Sequence, residues 1–246
     1  MTPRFHVDLP LQADQQFSLP ASAARHVQVL RLQPGAAITL FNGQGGEWQA
    51  EVLRMGRSDV DVHVLMHRNT LRELRLRVSL AVVMPANDRM DALVEKATEL
   101  GTFAVQPLMS ERSVLRLAGE RALKKTAHWQ GVAVAACEQS GRTHVPKIAD
   151  VMGLSEWLKS LVPLTDNERR CVLSLRDAQP WQALQTQLIS APHVRVLSGP
   201  EGGLTEAEEA LAGQHGFIAT SLGPRVLRAD TAPLAVLAAL GLSTAT

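Results

Sequence analysis

Two loops rich in glycine and proline, near the end of the chain, carry the residue types best suited to chemistry. Residues 199–203 read Gly-Pro-Glu-Gly-Gly, and residues 222–231 read Leu-Gly-Pro-Arg-Val-Leu-Arg-Ala-Asp-Thr. Glycine lets a ligand approach backbone N–H and C=O groups closely, and proline fixes the turn. Neither loop has the Gly-Lys-Ser/Thr ending of a P-loop or the Gly-x-Gly-x-x-Gly dinucleotide fingerprint. The loops therefore favour a nucleoside-like ligand without a phosphate chain.

Both loops are expected at the same edge of a sheet. Each follows an apolar run that predicts a strand, at residues 194–198 and 217–222, and each precedes a helical pattern. Ligands of open α/β sheets bind at the carboxyl ends of the strands. Thr205 and Glu208 form a Thr-x-x-Glu capping box, so a plain turn before a helix would explain the first loop alone. Two such loops, the second with Arg225 and Arg228, favour a binding site.

The chain changes character near residue 71. Beyond it, predicted strands at residues 78–84, 105–109 and 171–175 alternate with predicted helices that end at residue 100 or span residues 120–139, 154–161, 181–189 and 232–240. Asn87 or Asp88 is expected to cap the first helix, and Gly101 to end it. Such alternation predicts an α/β domain with a mostly parallel sheet and helices on both faces.

The first 71 residues predict a separate β unit. Residues 37–41, 47–53 and 60–66 alternate in polarity and are separated by turn signals. A small barrel is the arrangement that buries the edges of such strands. The expected domains are therefore residues 1–71 and 72–246.

Composition limits the function classes. The chain has 246 residues and 46% hydrophobic content, no apolar run long enough to cross a bilayer and no signal-peptide pattern, so a cytoplasmic protein is expected. Cys137 and Cys171 are expected to be buried free thiols. His63 and His67 lie in an alternating strand pattern, where four-residue spacing does not pair side chains as on a helix, so no metal is expected. The net charge of +1 does not itself suggest a nucleic-acid partner.

The two loops, continued as Gly-Pro-Glu-Gly-Gly-Leu-Thr-x-x-Glu and Leu-Gly-x-Arg-Val-Leu-Arg-x-Asp-Thr-Ala, resemble the ribosomal RNA small subunit methyltransferase E family of SPOUT methyltransferases. Residues 3–5, 26–32, 95–101, 110–113 and 138–142 are similar to other blocks of that family. The resemblance implies a SPOUT domain with a trefoil knot, a PUA-like RNA-binding barrel before it, and homodimers. It also implies transfer of a methyl group from S-adenosylmethionine to N3 of a uridine in 16S ribosomal RNA.

That chemistry needs a cation and a base. Uridine N3 carries a proton at neutral pH, and its loss spreads negative charge over O2 and O4. We expect Arg228 to be the cation, because a guanidinium stays charged and offers several donors in one plane; a salt bridge to Asp230 or Glu201 is the alternative. Asp230 and Glu201 are both candidates for the base, although Glu201 could instead hold ribose hydroxyls and Asp230 could cap the last helix. Water or a bulk base is the further alternative. The family usually has Glu at the position of Asp230 and Thr at that of Ala229, so the carboxylate here reaches one methylene less.

The other predicted contacts fall into two sets. Cofactor contacts are predicted at Leu175, Leu197, Gly199, Pro200, Glu201, Gly202, Leu222, Gly223, Val226, Leu227 and Arg228. RNA contacts are predicted at Arg4, Arg25, His26, Arg31, Arg112, Arg142 and Arg225.

The last predicted helix is apolar all round and must be buried against the sheet or against a partner. Together with the resemblance, this favours a homodimer. Two other functions stay open: a SPOUT enzyme acting on another RNA, and a ribosomal RNA assembly factor without catalysis.

Overall fold

A computed structural model of the chain describes residues 2–86 and 89–243. The chain divides into two compact units, one formed by Met1–Glu73 with Val134–Val145 and the other by Leu74–Ala133 with Pro146–Thr246. The helix cap expected at Asn87 or Asp88 lies outside the described residues.

The first unit is a small, mostly antiparallel β structure. Its elements are β1 (Arg4–His6), β2 (Gln16–Ser18), α1 (Ala21–Val29), β3 (Ala37–Phe41), β4 (Glu47–Met55) and β5 (Val60–Arg68). The strand order is β1-β3-β4-β5-β2, parallel between β1 and β3 and antiparallel elsewhere. The predicted alternating strands are therefore confirmed. Among the described residues no ladder joins β1 to β2, so the hydrogen-bonded path is open where the sequence predicted a barrel.

Alternation along the strands builds the core of this unit. Val60, Val62 and Val64 of β5 are fully buried, and they pack in the same cluster as Phe5 and Trp48. Successive side chains of a strand point to opposite faces, so this period of two places one apolar row inside. Register shifts in β4 mark irregular pairing with β5, which locally bends and twists the strands.

The second unit contains the larger sheet. Its elements are β6 (Arg77–Val83), α2 (Arg89–Glu99), β7 (Ala104–Met109), α3 (Gly119–Ser140, of which 134–140 belong to the first unit), β8 (Lys147–Ile148), β9 (Met152–Gly153), α4 (Leu154–Ser160), β10 (Glu168–Leu173), β11 (Gln179–Pro180), α5 (Trp181–Ile189), β12 (His193–Ser198), α6 (Glu206–Gln214), β13 (Phe217–Ser221) and α7 (Thr231–Ser243).

All pairings in this sheet are parallel, in the order β11-β13-β10-β12-β6-β7-β8, and β9 also pairs with β7. Helices α2, α5 and α7 pack together on one face, and α4 and α6 pack on the other. Because both faces are covered, the central strand β6 is buried along six consecutive residues. The predicted α/β class, with helices on both faces of a parallel sheet, is confirmed.

The ends of two helices follow the predicted local chemistry. Gly101 has a φ of +94° and donates its N–H to Thr98 O, which ends α2. A Cβ at Gly101 would lie 2.7 Å from Leu74 Cγ. At the start of α6, Thr205 and Glu208 form the predicted capping box, with each side chain accepting the other residue's backbone N–H.

Packing against the sheet explains much of the apolar character of helix α7. The helix contacts β6 and β12 and buries Pro233, Val236, Leu237 and Leu240. Leu242, in contrast, is 81% exposed. None of the helices that the structure describes is both long and apolar enough to cross a membrane.

Both cysteines are buried free thiols, as predicted. Burial raises the pKa of each thiol, Cys137 and Cys171, to about 12. Neither is therefore an ionised nucleophile at neutral pH.

A buried ion cluster holds the amino ends of β10 and β12. Glu168 Oε1 accepts hydrogen bonds from Arg170 Nε at 2.7 Å and from Arg195 Nε at 2.9 Å. Arg170, only 2% exposed, also donates to Val162 O and His215 O. Burial alone would raise the pKa of Glu168, but the bonds from the two arginines outweigh it and hold the pKa below its usual range. The ionised pair therefore stabilises the folded chain above the usual glutamate pKa.

Replacing Glu168 by Gln is expected to destabilise the fold by about 3 kcal/mol at neutral pH, because Arg170 is left buried without its counter-charge. Since the folded pKa of Glu168 is lowered, its contribution is lost as pH falls below about 4.5 and through the folded value. Urea unfolding of both proteins between pH 7 and pH 3 measures this. The gap in stability should narrow in acid, and a gap that is constant with pH would contradict the assignment.

Candidate functional site

A cavity of about 520 Å³ lies at the carboxyl ends of β10, β12 and β13. These strands are neighbours in the sheet and run parallel, so the loops that follow them meet at one edge. Both glycine-rich loops contribute to the wall. The sequence-predicted residues that line it are Leu175, Gly199, Pro200, Glu201, Gly202, Leu222, Val226, Leu227 and Arg228, together with the predicted RNA contacts Arg112 and Arg225.

Three of the predicted cofactor and catalytic residues do not line the cavity. Leu197 is fully buried, because its side chain alternates with that of Ser198 and points into the core under α4 and α6. Gly223 lies beside the wall with a φ of +109°, a conformation that favours glycine. Asp230 lies between Ala229 and Ala232, and both of these neighbours line the cavity.

Gly199 is the point of closest backbone packing. A Cβ at this position would lie 3.0 Å from Leu204 Cγ and 3.2 Å from Leu204 N. The loop therefore turns tightly onto the start of the segment that leads into α6. A side chain at position 199 would push Leu204, which is itself part of the wall.

The third strand end supplies wall residues that the sequence reasoning missed. These are Leu173, Ser174 and Arg176, which end or follow β10. The other wall residues that were not predicted lie at the ends of β12 and β13, in the loops, or on α6 and α7: Ser198, Thr220, Gly203, Leu204, Ala229, Glu209 and Ala232. The strand predicted at residues 171–175 was a usable signal, because the strand-end rule applies to it as it does to the two loops.

A polar network fixes the loop after β10. Ser174 Oγ donates to Glu209 Oε1 at 3.0 Å, and Arg176 Nη2 donates to Leu204 O at 2.5 Å. The same Nη2 atom lies 3.3 Å from Glu209 Oε1. These contacts hold Leu175, a residue that is 62% exposed, at the cavity wall.

The charged groups of the site differ in how they are paired. Glu201 Oε1 accepts the N–H of Ala86 at 3.0 Å and lies 3.9 Å from Arg89 Nη1. Arg228 is exposed, and its guanidinium has no ion-pair partner within residues 2–86 and 89–243. Asp230 Oδ1 is buried and accepts no hydrogen bond from any described residue. The Arg228 guanidinium and Asp230 Oδ1 are thus the charged groups at or beside the cavity for which the described part of the chain shows no partner.

Two predicted RNA contacts, Arg4 and Arg142, are buried in the first unit. Arg4 pairs with Glu47 and donates from Nη2 to Arg142 O at 3.0 Å. Arg142 Nε donates to Glu73 Oε2 at 2.9 Å. The two arginine side chains are 6% and 5% exposed, which differs from the expectation of an exposed phosphate contact. The geometry gives both a structural role.

The remaining predicted RNA contacts of the first unit are on its surface. Arg25, His26 and Arg31 are exposed on α1 or just after it, and His26 Nδ1 lies 3.3 Å from Glu138 Oε2.

Among the residues that the structure describes, no group of three or more His, Cys, Asp or Glu side chains could hold a metal ion.

Comparison with known families defines the class of protein. Residues 72–241 match the family described as RNA methyltransferase domain, and residues 19–65 match the family described as RNA methyltransferase PUA domain. This chain therefore has the architecture of an RNA methyltransferase. Its small β unit comes first in the sequence, and its parallel sheet carries the cavity at the strand ends.

Relatives narrow the class further. A ribosomal RNA small subunit methyltransferase E from Bacillus subtilis is 32% identical, over 98% of this chain and 96% of the relative. The crystal structure of a ribosomal RNA small subunit methyltransferase E from Neisseria gonorrhoeae, bound to S-adenosyl methionine, is 34% identical with a TM-score of 0.90. A methyltransferase from Legionella pneumophila with bound SAM is 31% identical with a TM-score of 0.91. Each structural match covers 99% of this chain and 98% of the other. The chain belongs to the ribosomal RNA small subunit methyltransferase E family.

The structural role of Arg142 can be separated from RNA contact by its effect on stability. Arg142→Met is expected to lower the free energy of unfolding by about 3 kcal/mol, because Glu73 loses its partner in a mostly buried site. The matched variant Arg225→Met removes an exposed arginine and should change stability by less than about 0.5 kcal/mol. Urea unfolding of the free proteins measures both. Equal stabilities would show that Arg142 is not part of the folded interior.

Proposed function

We propose that this chain transfers a methyl group from S-adenosylmethionine to N3 of a uridine in the 16S ribosomal RNA of the small subunit. The observation that carries the proposal is the cavity enclosed by the two glycine-rich loops, in a chain that matches SAM-bound relatives over 99% of its length. Family membership supports the reaction class. The loop motifs support cofactor binding at the carboxyl ends of β10, β12 and β13, where the cavity lies.

The residues present fit a nucleoside-like cofactor. The volume of about 520 Å³ is in the range of small-molecule sites. Gly199 and Gly202 expose backbone at the wall, and Leu175, Leu204 and Leu227 make part of it apolar. We assign cofactor binding to these groups. When bound, the cofactor supplies an electrophilic methyl group on a sulfonium, and the protein supplies orientation of the two reactants.

We assign the cation role to Arg228. Removing the N3 proton of uridine leaves negative charge on O2 and O4, and preorganised donors aimed at such charge lower the barrier. Arg228 lines the cavity, and its guanidinium is not neutralised by Glu201 or Asp230 in the described structure. A planar set of N–H donors can face a uracil carbonyl oxygen while the charge stays fixed.

We assign the proton acceptor role to Asp230. Its Oδ1 atom is buried and accepts no hydrogen bond from a described residue, and Ala229 and Ala232 on either side of it line the cavity. It is therefore an unused acceptor beside the site. Glu201, the other candidate, already accepts the N–H of Ala86 after β6. This hydrogen bond suits Glu201 to hold the first glycine-rich loop in position. In this proposal the chain uses an aspartate, with a side chain one methylene shorter, at the position where the family usually has glutamate.

We assign RNA binding to the first part of the chain, and cofactor binding and catalysis to the second. Residues 1–71 form a PUA-like RNA-binding domain, in which Arg25, His26 and Arg31 contact ribosomal RNA. Residues 72–246 form the SPOUT domain that binds the cofactor, carries out catalysis and forms a homodimer in the cytoplasm. Leu242 of the apolar helix α7 is exposed, and this exposed apolar residue supports a partner surface there.

Methyl transfer to small ribosomal subunits that lack the modification tests the proposal. S-adenosylmethionine and the protein are incubated with these subunits, and the nucleosides of the 16S RNA are identified by mass spectrometry. N3-methyluridine is the expected product. Binding to the subunits without any methylated nucleoside would indicate an assembly factor, and methylation of another RNA alone would indicate a different SPOUT enzyme.

In the same assay Arg228→Ala is expected to lower kcat about 100-fold, the loss seen when one preorganised donor to a developing anion is removed. Arg228→Lys keeps the charge without the planar donors and should retain part of the activity. Cofactor affinity, measured separately by calorimetry, should change much less than kcat in both variants. An Arg228→Ala protein with full activity would refute the cation role.

A further inference from the structure

The loop after β7 reaches the cavity from two strands away. In the sheet β6 separates β7 from β12, yet Arg112 of this loop lines the wall. Arg112 Nη1 donates to Gly202 O at 2.9 Å, and its Cδ would lie 3.6 Å from a Cβ at Gly202. The guanidinium therefore lies directly on the first glycine-rich loop, and its side chain is exposed at the open side of the cavity.

This loop is also held from within. The backbone N–H of Ser110 donates to Ser113 Oγ at 2.8 Å, and Arg116 Nη2 donates to Glu111 O at 2.8 Å. Ser113 is only 8% exposed. These bonds fix the conformation of the loop itself. Besides the bond from the Arg112 side chain to Gly202 O, the backbone of the loop needs a contact outside the loop.

Glu208 provides that contact. It is only 8% exposed, and its two carboxylate oxygens have different partners. Oε2 accepts the N–H of Thr205 at 2.9 Å and completes the capping box of α6. Oε1 accepts the N–H of Glu111 at 2.8 Å, one residue before Arg112. A single buried carboxylate thus joins the helix start behind the first glycine-rich loop to the loop that carries Arg112.

We propose that Glu208 is a positioning residue that fixes Arg112 where the RNA substrate enters the cofactor cavity. Arg112 uses one of its five N–H donors on Gly202, and the remaining donors can contact the phosphate of a nucleotide next to the target uridine. The inference rests on the proposed function, because it assigns the RNA, not the cofactor, to Arg112. Charge-assisted bonds from Glu208 to backbone N–H groups are the strong kind that holds such a loop.

Glu208→Gln separates the two tasks of the carboxylate. Glutamine also serves at this position of a capping box, so its single amide oxygen can keep the bond to Thr205 while the NH₂ group replaces the acceptor for Glu111. With unmodified small ribosomal subunits, KM for the RNA is expected to rise about tenfold, the effect of one charge-assisted hydrogen bond. The melting temperature and the Kd for S-adenosylmethionine should change little. Glu156→Gln, which changes an exposed glutamate in the first turn of α4, is the matched control.

A double-mutant cycle with Arg112→Ala decides whether Glu208 acts through Arg112. The double variant is expected to match Arg112→Ala alone, because removing the guanidinium leaves Glu208 nothing to position. Additive losses would overturn the proposal, and so would a Glu208→Gln protein whose cofactor affinity and melting temperature fall together with activity. If the wild-type protein methylates no ribosomal RNA, the proposed function fails; an active wild type with additive variants refutes the role of Glu208 alone.

Discussion

The parallel pairing of β12 with its two neighbouring strands determines where the cavity forms. Residues 193–198 pair in register with β10 on one side and with β6 on the other. This pairing ends all three strands at the same edge, and the tight turn at Gly199 begins immediately after it. The cavity, the two glycine-rich loops and the contacts to neighbouring loops all follow from where these strands stop.

The two ends of this ladder are built for different purposes. At the amino ends, Glu168 and its arginines satisfy one another in a buried cluster, which serves stability. At the carboxyl ends, Arg228 and Asp230 Oδ1 are left without partners among the described residues. A buried carboxylate oxygen without a donor costs stability, and this cost agrees with the role that we propose for Asp230. Glu208 and Glu209 are consecutive residues of α6 and hold two loops from opposite sides of β12. Glu208 accepts a hydrogen bond from the loop after β7, and Glu209 accepts one from the loop after β10.

Much of this arrangement could be predicted from the sequence. The alternating strands, the longer strand and helix elements, Gly101 and the Thr205–Glu208 box are local signals, and the fold and the structure of these sites confirm them. The family and its reaction class came from the two loop motifs and are confirmed by the comparisons. The strands of two or three residues were missed, because such short segments show no periodicity.

Long-range pairing explains the other differences. Arg4 and Arg142 are 138 positions apart in the chain, so nothing local indicates that the backbone carbonyl of one accepts a hydrogen bond from the other and that both are buried. The second bond of Glu208 likewise depends on a loop 97 residues away. The homodimer and the trefoil knot stay predictions from the resemblance, since neither is written in the local pattern of one chain.

Calorimetric titration of S-adenosylmethionine tests the central claim, that the cofactor binds where the β12 ladder ends. Gly199→Val would place side-chain atoms against Leu204, whereas a Cβ at Gly213 on α6 meets nothing within 4 Å. We expect binding by the wild-type protein and by Gly213→Ala, and at least about a tenfold loss of affinity for a Gly199→Val protein that still melts cooperatively. Wild-type affinity in Gly199→Val would contradict it and place the cofactor elsewhere.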